Sequence, residues 1–225
     1  MLARQTLEFE NIALSAYQGE ISNVTIYHDS STPTTLILAI EAAIKDEFSG
    51  ISINWLQRDR NNCLDHIEKG EALLAIMPGL GYLHPPKGIG SVNLGTQQLK
   101  IYTSTESSLP HRPVSASEIA TELQLISEND FANQLRHTKL SSEYELVTSS
   151  HLLFSKLRQK GWTVASESEA CPYVKAGEIR EVELIQAPVG IRQDLMMFYN
   201  ISSELSEQES KMIKTVVEAC KAARL

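Results

Sequence analysis

Small polar side chains cluster where a β-prone run gives way to an amphipathic pattern, within residues 24–48. The cluster consists of Asp29, Ser30, Ser31 and Thr32. Pro33 follows and suits the first position of a helix, with Thr32 as the helix cap. Free backbone amides, hydroxyl groups and the positive end of a helix dipole can together bind a carboxylate or another small anion. Capping hydroxyls also stabilise helices without any ligand, so plain capping is the alternative interpretation.

Further polar segments repeat this arrangement after other β-prone runs. They are Ser127, Glu128 and Asn129 after residues 123–126, and Thr148 and Ser149 after residues 144–147. Arg60 lies in another polar run, residues 58–62. Because a guanidinium group binds carboxylates bidentately, Arg60 favours an anionic ligand. A solvated arginine paired with Asp59 is the alternative.

The sequence offers little support for catalysis. His28, Asp29 and Ser30 have the residue types of a hydrolase, but adjacent positions rarely give the required geometry, and no Gly-x-Ser-x-Gly motif occurs. The glycine-rich residues 78–95 lack the Gly-Lys-Ser/Thr of a phosphate-binding loop. The histidines show no metal-ligand spacing with one another or with cysteines. We therefore expect no enzyme activity, no metal and no cofactor.

Composition limits the class of protein. The 225 residues are 42% hydrophobic and 21% charged, as in ordinary globular domains. The net charge of −8 leaves no basic stripe of the kind that binds nucleic acid. Nothing resembles a membrane span or a signal peptide, and three widely separated cysteines fit a reducing compartment. We therefore expect a cytoplasmic protein with no membrane contact.

Hydrophobic periodicity indicates how the polar segments are positioned. Apolar residues at helical spacing follow residue 34, residues 51–55 alternate as a strand, a short helix ends at Gly70, and residues 72–77 form a buried strand. This order predicts a parallel α/β sheet, in which ligands bind beyond the carboxyl ends of the strands. Residues 78–95 are expected to form a long loop that marks an edge hairpin or a domain junction. A second set of strands and helices follows from residue 98, and residues 206–223 predict a final helix.

Four segments match a known pattern when taken together. Residues 24–48 combine a strand, a Ser/Thr loop and a Leu-rich helix; residues 62–77 combine an amphipathic helix, a glycine and a buried strand. Residues 147–165 hold a polar loop, a helix, a glycine and a strand, and residues 175–184 a small-Gly-apolar segment. Over residues 18–223 the chain therefore resembles the effector-binding domain of LysR-type transcriptional regulators.

The resemblance implies a fold and a mode of action. The fold would be α/β and type 2 periplasmic-binding-protein-like, with two Rossmann-like lobes joined by two crossover strands. Residues 20–96 and 196–225 would form lobe I, residues 97–195 lobe II, and residues 1–19 the end of a linker helix. A small-molecule effector would bind between the lobes. DNA would be bound only by an N-terminal winged helix-turn-helix that is missing here, and the domain would form homodimers or tetramers.

The resemblance also carries site residues. The family's effector-binding hydroxyl corresponds to Ser30 or Ser31, and its second-helix position lies near Arg60. Its cleft turns correspond to residues 127–129 and to Thr148 and Ser149. Some members of the family sense oxidants through cysteine, so a redox pair of Cys63 and Cys171 is an alternative to two core residues. A solute-binding protein that delivers a ligand to a transporter is the main alternative function, and a small enzyme of the same fold is another.

Overall fold

A computed structural model describes residues 21–80, 85–132 and 139–223, so residues 1–19, the expected end of a linker helix, lie outside the described residues. The strands are β1 Asn23–His28, β2 Ser52–Gln57, β3 Leu74–Pro78, β4 Ile89–Ser104, β5 Gln124–Ser127, β6 Tyr144–Val147, β7 Trp162–Ser166, β8 Ile179–Val182 and β9 Ile191–Asn200. The helices are α1 Thr34–Glu47, α2 Arg60–Glu68, α3 Ala116–Ile119, α4 Glu128–Ala132, α5 Ser150–Leu157, α6 Glu167–Lys175 and α7 Glu207–Ala222.

The strands join into one mixed sheet in the order β2-β1-β3-β9-β4-β7-β5-β6, with β8 pairing β4. The strands β2, β1 and β3 run parallel and form, with most of β9, the first sheet part. The strands β7, β5 and β6 also run parallel and form, with β8 and the end of β4, the second sheet part. The predicted α/β fold is confirmed.

Two helices cover one face of the first sheet part. Leu36, Ile40 and Ile44 lie four residues apart on α1 and are fully or almost fully buried. They share one apolar core with Met212 and Val216 of α7. Alternate residues of the strands face the opposite side, where α2 packs. The apolar residues that recur with the helical period on α1 and α7 thus pack against the apolar residues that alternate along the strands.

The strand β4 corrects the predicted long loop of residues 78–95. It begins at Ile89, and its first residues pair antiparallel with β9 from Asn200 to Ile191. Its last residues, from Leu99, pair with β7 and β8. Gly90 lies within the strand because a Cβ there would come 2.6 Å from the ring of Tyr199. Gly90 thus marks a close contact between β4 and a side chain of β9, and β4 runs continuously from the first sheet part to the second.

Other boundaries also differ from the expectations. Arg60 and Asn129 lie inside α2 and α4, where polar loops were expected. Within the apolar segment of residues 175–184, β8 begins at Ile179, and the helix α6 before it was not predicted at all. Among residues 21–80, 85–132 and 139–223, no helix has the length and apolar content to cross a membrane.

Candidate functional site

The loop between β1 and α1 is organised by the buried carboxylate of Asp29. Asp29 is 1% exposed, and its Oδ1 accepts hydrogen bonds from the Ser31 amide at 2.8 Å and the Ser31 hydroxyl at 2.7 Å. The backbone amide of Asp29 donates to the Ile76 carbonyl at 3.0 Å. These bonds fix the loop against the end of β3. The hydroxyl of Ser31 is therefore oriented by Asp29.

Thr32 corrects a second expectation. The cap of α1 is Pro33, with no side-chain capping bond, and the hydroxyl of Thr32 instead donates to the Ile76 carbonyl at 3.2 Å. Thr32 is 6% exposed. Its hydroxyl thus ties the loop to β3 and is not presented to a ligand.

Asn129 connects the two sheet parts across the cleft. It lies in α4, directly after β5, and its side-chain amide donates to Asp29 Oδ2 and, at 3.2 Å, to Ser30 Oγ. The partners are a hundred residues apart in sequence. The carboxyl ends of two separate parallel strands, β1 and β5, therefore meet here, as the sequence predicted.

A cavity of about 30 Å³ lies at this junction. Five of its lining residues carry hydroxyls: Ser30, Ser31, Ser127, Ser150 and Ser166. Asp130, Glu169 and Gln193 add polar groups, and Leu99 and Phe154 belong to its apolar wall. This volume holds roughly two water-sized groups, since about 10–15 Å³ suffices for one. The cavity thus fits one small polar group as it stands, and a larger ligand requires the cleft to open.

Two carboxyl groups in this cavity have raised pKa values. Burial, followed by the charges of Asp29 and Glu169, raises the pKa of Asp130 to about 8. Burial is also the largest cause of the raised pKa of Glu169, and hydrogen bonds from Ser166 and Ser150 oppose the shift. The residue Asp130 is partly exposed, yet its Oδ1 atom is buried and has no hydrogen-bond partner among the described residues. The cavity is therefore lined by carboxyl groups with little solvation.

Arg60 does not line the cavity. Its guanidinium Nη1 donates to the Pro78 carbonyl at 2.8 Å, and its Cζ lies 4.8 Å from the ring centre of Phe198. Asp59 caps α2 through the Asn62 amide at 3.1 Å. Burial lowers the pKa of Arg60, and the charge of Asp29 opposes that shift. Arg60 thus binds the backbone at the end of β3, and its charge interacts with that of Asp29.

The predicted site residues separate into two groups. Ser30, Ser31 and Ser127 line the cavity, and Asp29 and Asn129 form the bond network beside it. Glu128, Thr148 and Ser149 are exposed and lie outside the lining. Ser149 does not line the cavity, and its hydroxyl accepts a hydrogen bond from the Leu152 amide at 3.3 Å as the cap of α5. Here capping, the alternative left open for such hydroxyls, is what the side chain does.

Sequence reasoning missed several lining residues, namely Asp130, Ser150, Ser166, Glu169 and Gln193. Ser166 and Glu169 form a capping box at the start of α6, and the Ser-x-x-Glu spacing is readable in the sequence. Asp130 directly follows the predicted Asn129. Gln193 lies on β9 and gives no sequence signal, because only the pairing of β9 with β4 brings it to the cleft.

The described cysteines are free, and Cys63 and Cys220 are buried. Cys63 is fully buried, and burial raises the pKa of its thiol to about 12, which makes it a core residue of low reactivity. Cys171 and Cys220 are also free. Within the described ranges, no group of three His, Cys, Asp or Glu side chains is arranged to hold a metal ion.

Comparison with known proteins adds a fold family. No family model matches the chain, and no curated protein matches it. Among solved structures, a mutant OxyR2 regulatory domain from Vibrio vulnificus matches with a TM-score of 0.69 at 16% identity, over 88% of this chain and 96% of that one. The regulatory domain of MetR from N. meningitidis matches at 0.69 and 12%, over 89% and 95%.

The fold is that of LysR-family regulatory domains. It is the type 2 periplasmic-binding-protein-like fold that the resemblance implied. Full-length LysG from Corynebacterium glutamicum, solved with bound effector arginine, matches with a TM-score of 0.67 at 17% identity. That match covers 98% of this chain and 76% of LysG. The LysR-type fold extends over most of the described residues.

Proposed function

We propose that this chain is the effector-sensing regulatory domain of a LysR-type transcriptional regulator. A small molecule would bind at the cavity beneath Asn129, between lobe I of residues 20–96 and 196–225 and lobe II of residues 97–195. Binding would shift the lobes and pass a signal to a DNA-binding domain within a cytoplasmic homodimer or tetramer. The domain itself would be non-catalytic.

One observation carries this proposal. The carboxyl ends of β1 and β5 meet at a hydroxyl-lined cavity, and Asn129 bonds across this junction to Asp29 and to the lining residue Ser30. Ligands in α/β sheets bind at this kind of position. A contact that joins two sheet parts and lies beside a cavity gives a ligand a means of changing their relative position. The OxyR2 and MetR structures that share this fold are regulatory domains, which does not favour the transporter alternative.

The lining of the cavity does not assign a negative charge to the proposed effector. The expectation of an anionic effector relied on Arg60, whose guanidinium is bonded to Pro78 and stacked on Phe198. That expectation stays a prediction without support from the lining charges. LysG, of the same fold, was solved with the cationic effector arginine.

A ligand screen tests the proposed function. We expect at least one compound in a library of amino acids, amines and organic acids to raise the Tm of the chain. The change Ser150→Ala removes a lining hydroxyl and should weaken that ligand by about tenfold, the effect of one lost hydrogen bond. The matched change Ser142→Ala, on an exposed loop residue, should leave binding unchanged. A ligand equally affected by both changes, or by neither, contradicts this location.

A further inference from the structure

The cavity beneath Asn129 collects negative charge. Three carboxyl groups, those of Asp29, Asp130 and Glu169, come from separate parts of the chain. The charge of Asp29 raises the pKa of Asp130 and the pKa of Glu169. None of the ion pairs among the described residues involves Asp130 or Glu169. A cation that belongs to the described part of the protein therefore does not neutralise these two carboxyl groups.

One residue of the cavity lining has a buried carboxyl oxygen without a hydrogen-bond partner among the described residues. This residue is Asp130, and the oxygen is its Oδ1 atom. Buried polar atoms almost always have a partner, so this oxygen can accept a hydrogen bond from a ligand in the cavity once Asp130 is ionised. Glu169 accepts bonds from Ser166 Oγ at 2.8 Å and Ser150 Oγ at 3.2 Å. A carboxylate accepts about four hydrogen bonds, so Glu169 retains capacity.

The dimensions and the donors match one chemical group. A protonated primary amine has three N–H donors and no acceptor, which complements carboxylate and serine oxygens. The cavity volume of about 30 Å³ admits a group of this size. A carboxylate or phosphate in the same place would lie beside the carboxyl groups of Asp130 and Glu169, whose ionised forms repel an anion in a poorly solvated site.

We propose that this cavity binds the protonated amino group of the effector, with Asp130 and Glu169 as its charged acceptors and the serine hydroxyls completing its hydrogen bonds. This inference rests on the proposed function, because it assigns a chemical class to the ligand of the same cleft. The rest of an amine ligand would extend into the cleft and replace the Asn129 contact as the link between the two sheet parts.

The pH dependence of binding has a defined direction. Two charged groups act on Asp130, namely Asp29 from the β1–α1 loop and Glu169 from α6. Asp29 in turn has a charge interaction with Arg60 of α2. At pH 6 Asp130 keeps its proton, which an ammonium ligand must displace. Affinity for an amine should therefore rise between about pH 6 and pH 8.5 and be accompanied by proton release. Affinity for a carboxylate ligand should fall over the same range.

Calorimetry with defined probes tests the proposal. The probes are 1,4-diaminobutane, 1,5-diaminopentane and L-lysine, with succinate and glutarate as anions of matched length. We expect the amines to bind at pH 8.5 and the anions not to bind. Asp130→Asn and Glu169→Gln should each weaken the amines by about tenfold or more, because each removes a charge-assisted bond. Gln preserves the capping box of α6, so Glu169→Gln keeps the fold.

The control is Asp46→Asn, which removes an exposed carboxylate of α1 and should not change the affinity. Amine binding that is the same in all three variants overturns the proposal, as does binding of the anions in preference or failure of all three amines. The proposed function is judged separately. If the broader screen yields a ligand without an amine that depends on Ser150, the sensing role stands and the amine assignment falls.

Discussion

Asp130 shows how burial changes the behaviour of one carboxyl group. Its pKa is raised from 3.8 to about 8, with burial as the largest cause and Asp29 and Glu169 next. Between about pH 4 and pH 8 the folded chain retains a proton that the unfolded chain has lost. The stability that this proton provides is complete below pH 4 and is lost as the pH rises through 8. Above pH 8 the folded state is therefore less stable because Asp130 carries a buried charge, and this carboxylate is the acceptor that a ligand is proposed to use.

The change Asp130→Asn should therefore stabilise the chain at high pH. Asn has nearly the same shape and does not titrate, so the variant should equal the parent near pH 4 and exceed its Tm at pH 8.5. We expect a gain of a few degrees, because about 1 kcal/mol shifts the Tm of a chain of this size by roughly 2–4 °C. Thermal denaturation followed by circular dichroism at pH 4, 6 and 8.5 measures the difference. A gain that is the same at every pH would contradict this account of Asp130.

Site residues were predictable where they follow a strand end directly. Ser30, Ser31, Ser127 and Asn129 do so, and a parallel sheet brings strand ends together. Arg60 and Ser149 were misleading because a polar side chain near a strand end can either line a ligand site or bond to the backbone of the protein. The carbonyl of Pro78 and the amide of Leu152 bind these two side chains, and neither contact can be read from the spacing of residues.

At the scale of elements, turns that end helices place strict demands on glycine. Gly161 lies between α5 and β7 with φ of 76°, and a Cβ there would come 2.7 Å from the Leu123 carbonyl oxygen. That oxygen also accepts the Trp162 amide at 3.0 Å, so it cannot move away freely. Gly177 follows α6 with φ of 71°, and a Cβ there meets nothing within 4 Å. Both positions have a left-handed backbone, but only Gly161 lacks room for a side chain.

The pair Gly161→Ala and Gly177→Ala separates these effects. Gly177→Ala should lower the free energy of unfolding by about 1–2 kcal/mol, the cost of a left-handed residue with a side chain. Gly161→Ala should cost at least about twice as much, since the backbone clash adds to the same strain. Urea denaturation of both variants gives the comparison. Equal losses would mean that the chain near Leu123 adjusts at no cost.

Most elements were predictable because their apolar residues recur with a clear period. The strands β1, β2, β3, β5, β6 and β7 and the helices α1, α2, α5 and α7 lie at or close to their expected positions. The start of β4 was missed because glycine and proline normally interrupt strands. In β4, Gly90 makes room for the ring of Tyr199 and Gly95 lies at a register shift, and both reasons depend on the partner strand. Tertiary contacts thus override the local signal.

At the scale of the whole molecule, β4 and β9 connect the two sheet parts, and the Asn129 contact closes the cleft on one side of them. The pairing of these strands extends from Ile89 opposite Asn200 to Leu99 opposite Ile191. Beside the cleft, Gln97 Nε2 donates to Gln193 Oε1 at 2.9 Å. A long antiparallel pair of this kind resists sliding, so motion of the sheet parts should be a hinge-like rotation that breaks the Asn129 bonds.

The change Asn129→Ala should therefore loosen the closed arrangement. The loss of two hydrogen bonds across the cleft should speed amide hydrogen exchange in residues 29–32 and 128–132. Exchange in β2 and α2, away from the contact, should stay the same. The matched change Asn54→Ala removes a bond to Asn23 at 3.1 Å between β1 and β2, within one sheet part, and should leave the cleft segments unaffected. Faster exchange throughout the chain would indicate a general loss of stability instead of opening.

The shared core of α1 and α7 has a consequence for biosynthesis. A ribosome makes about 5–20 residues per second, so several seconds or more separate the emergence of these two helices. During that interval Leu36, Ile40 and Ile44 lack Met212 and Val216, the residues that complete their packing. The nascent polypeptide therefore presents an apolar helix to chaperones until its last helix has left the exit tunnel.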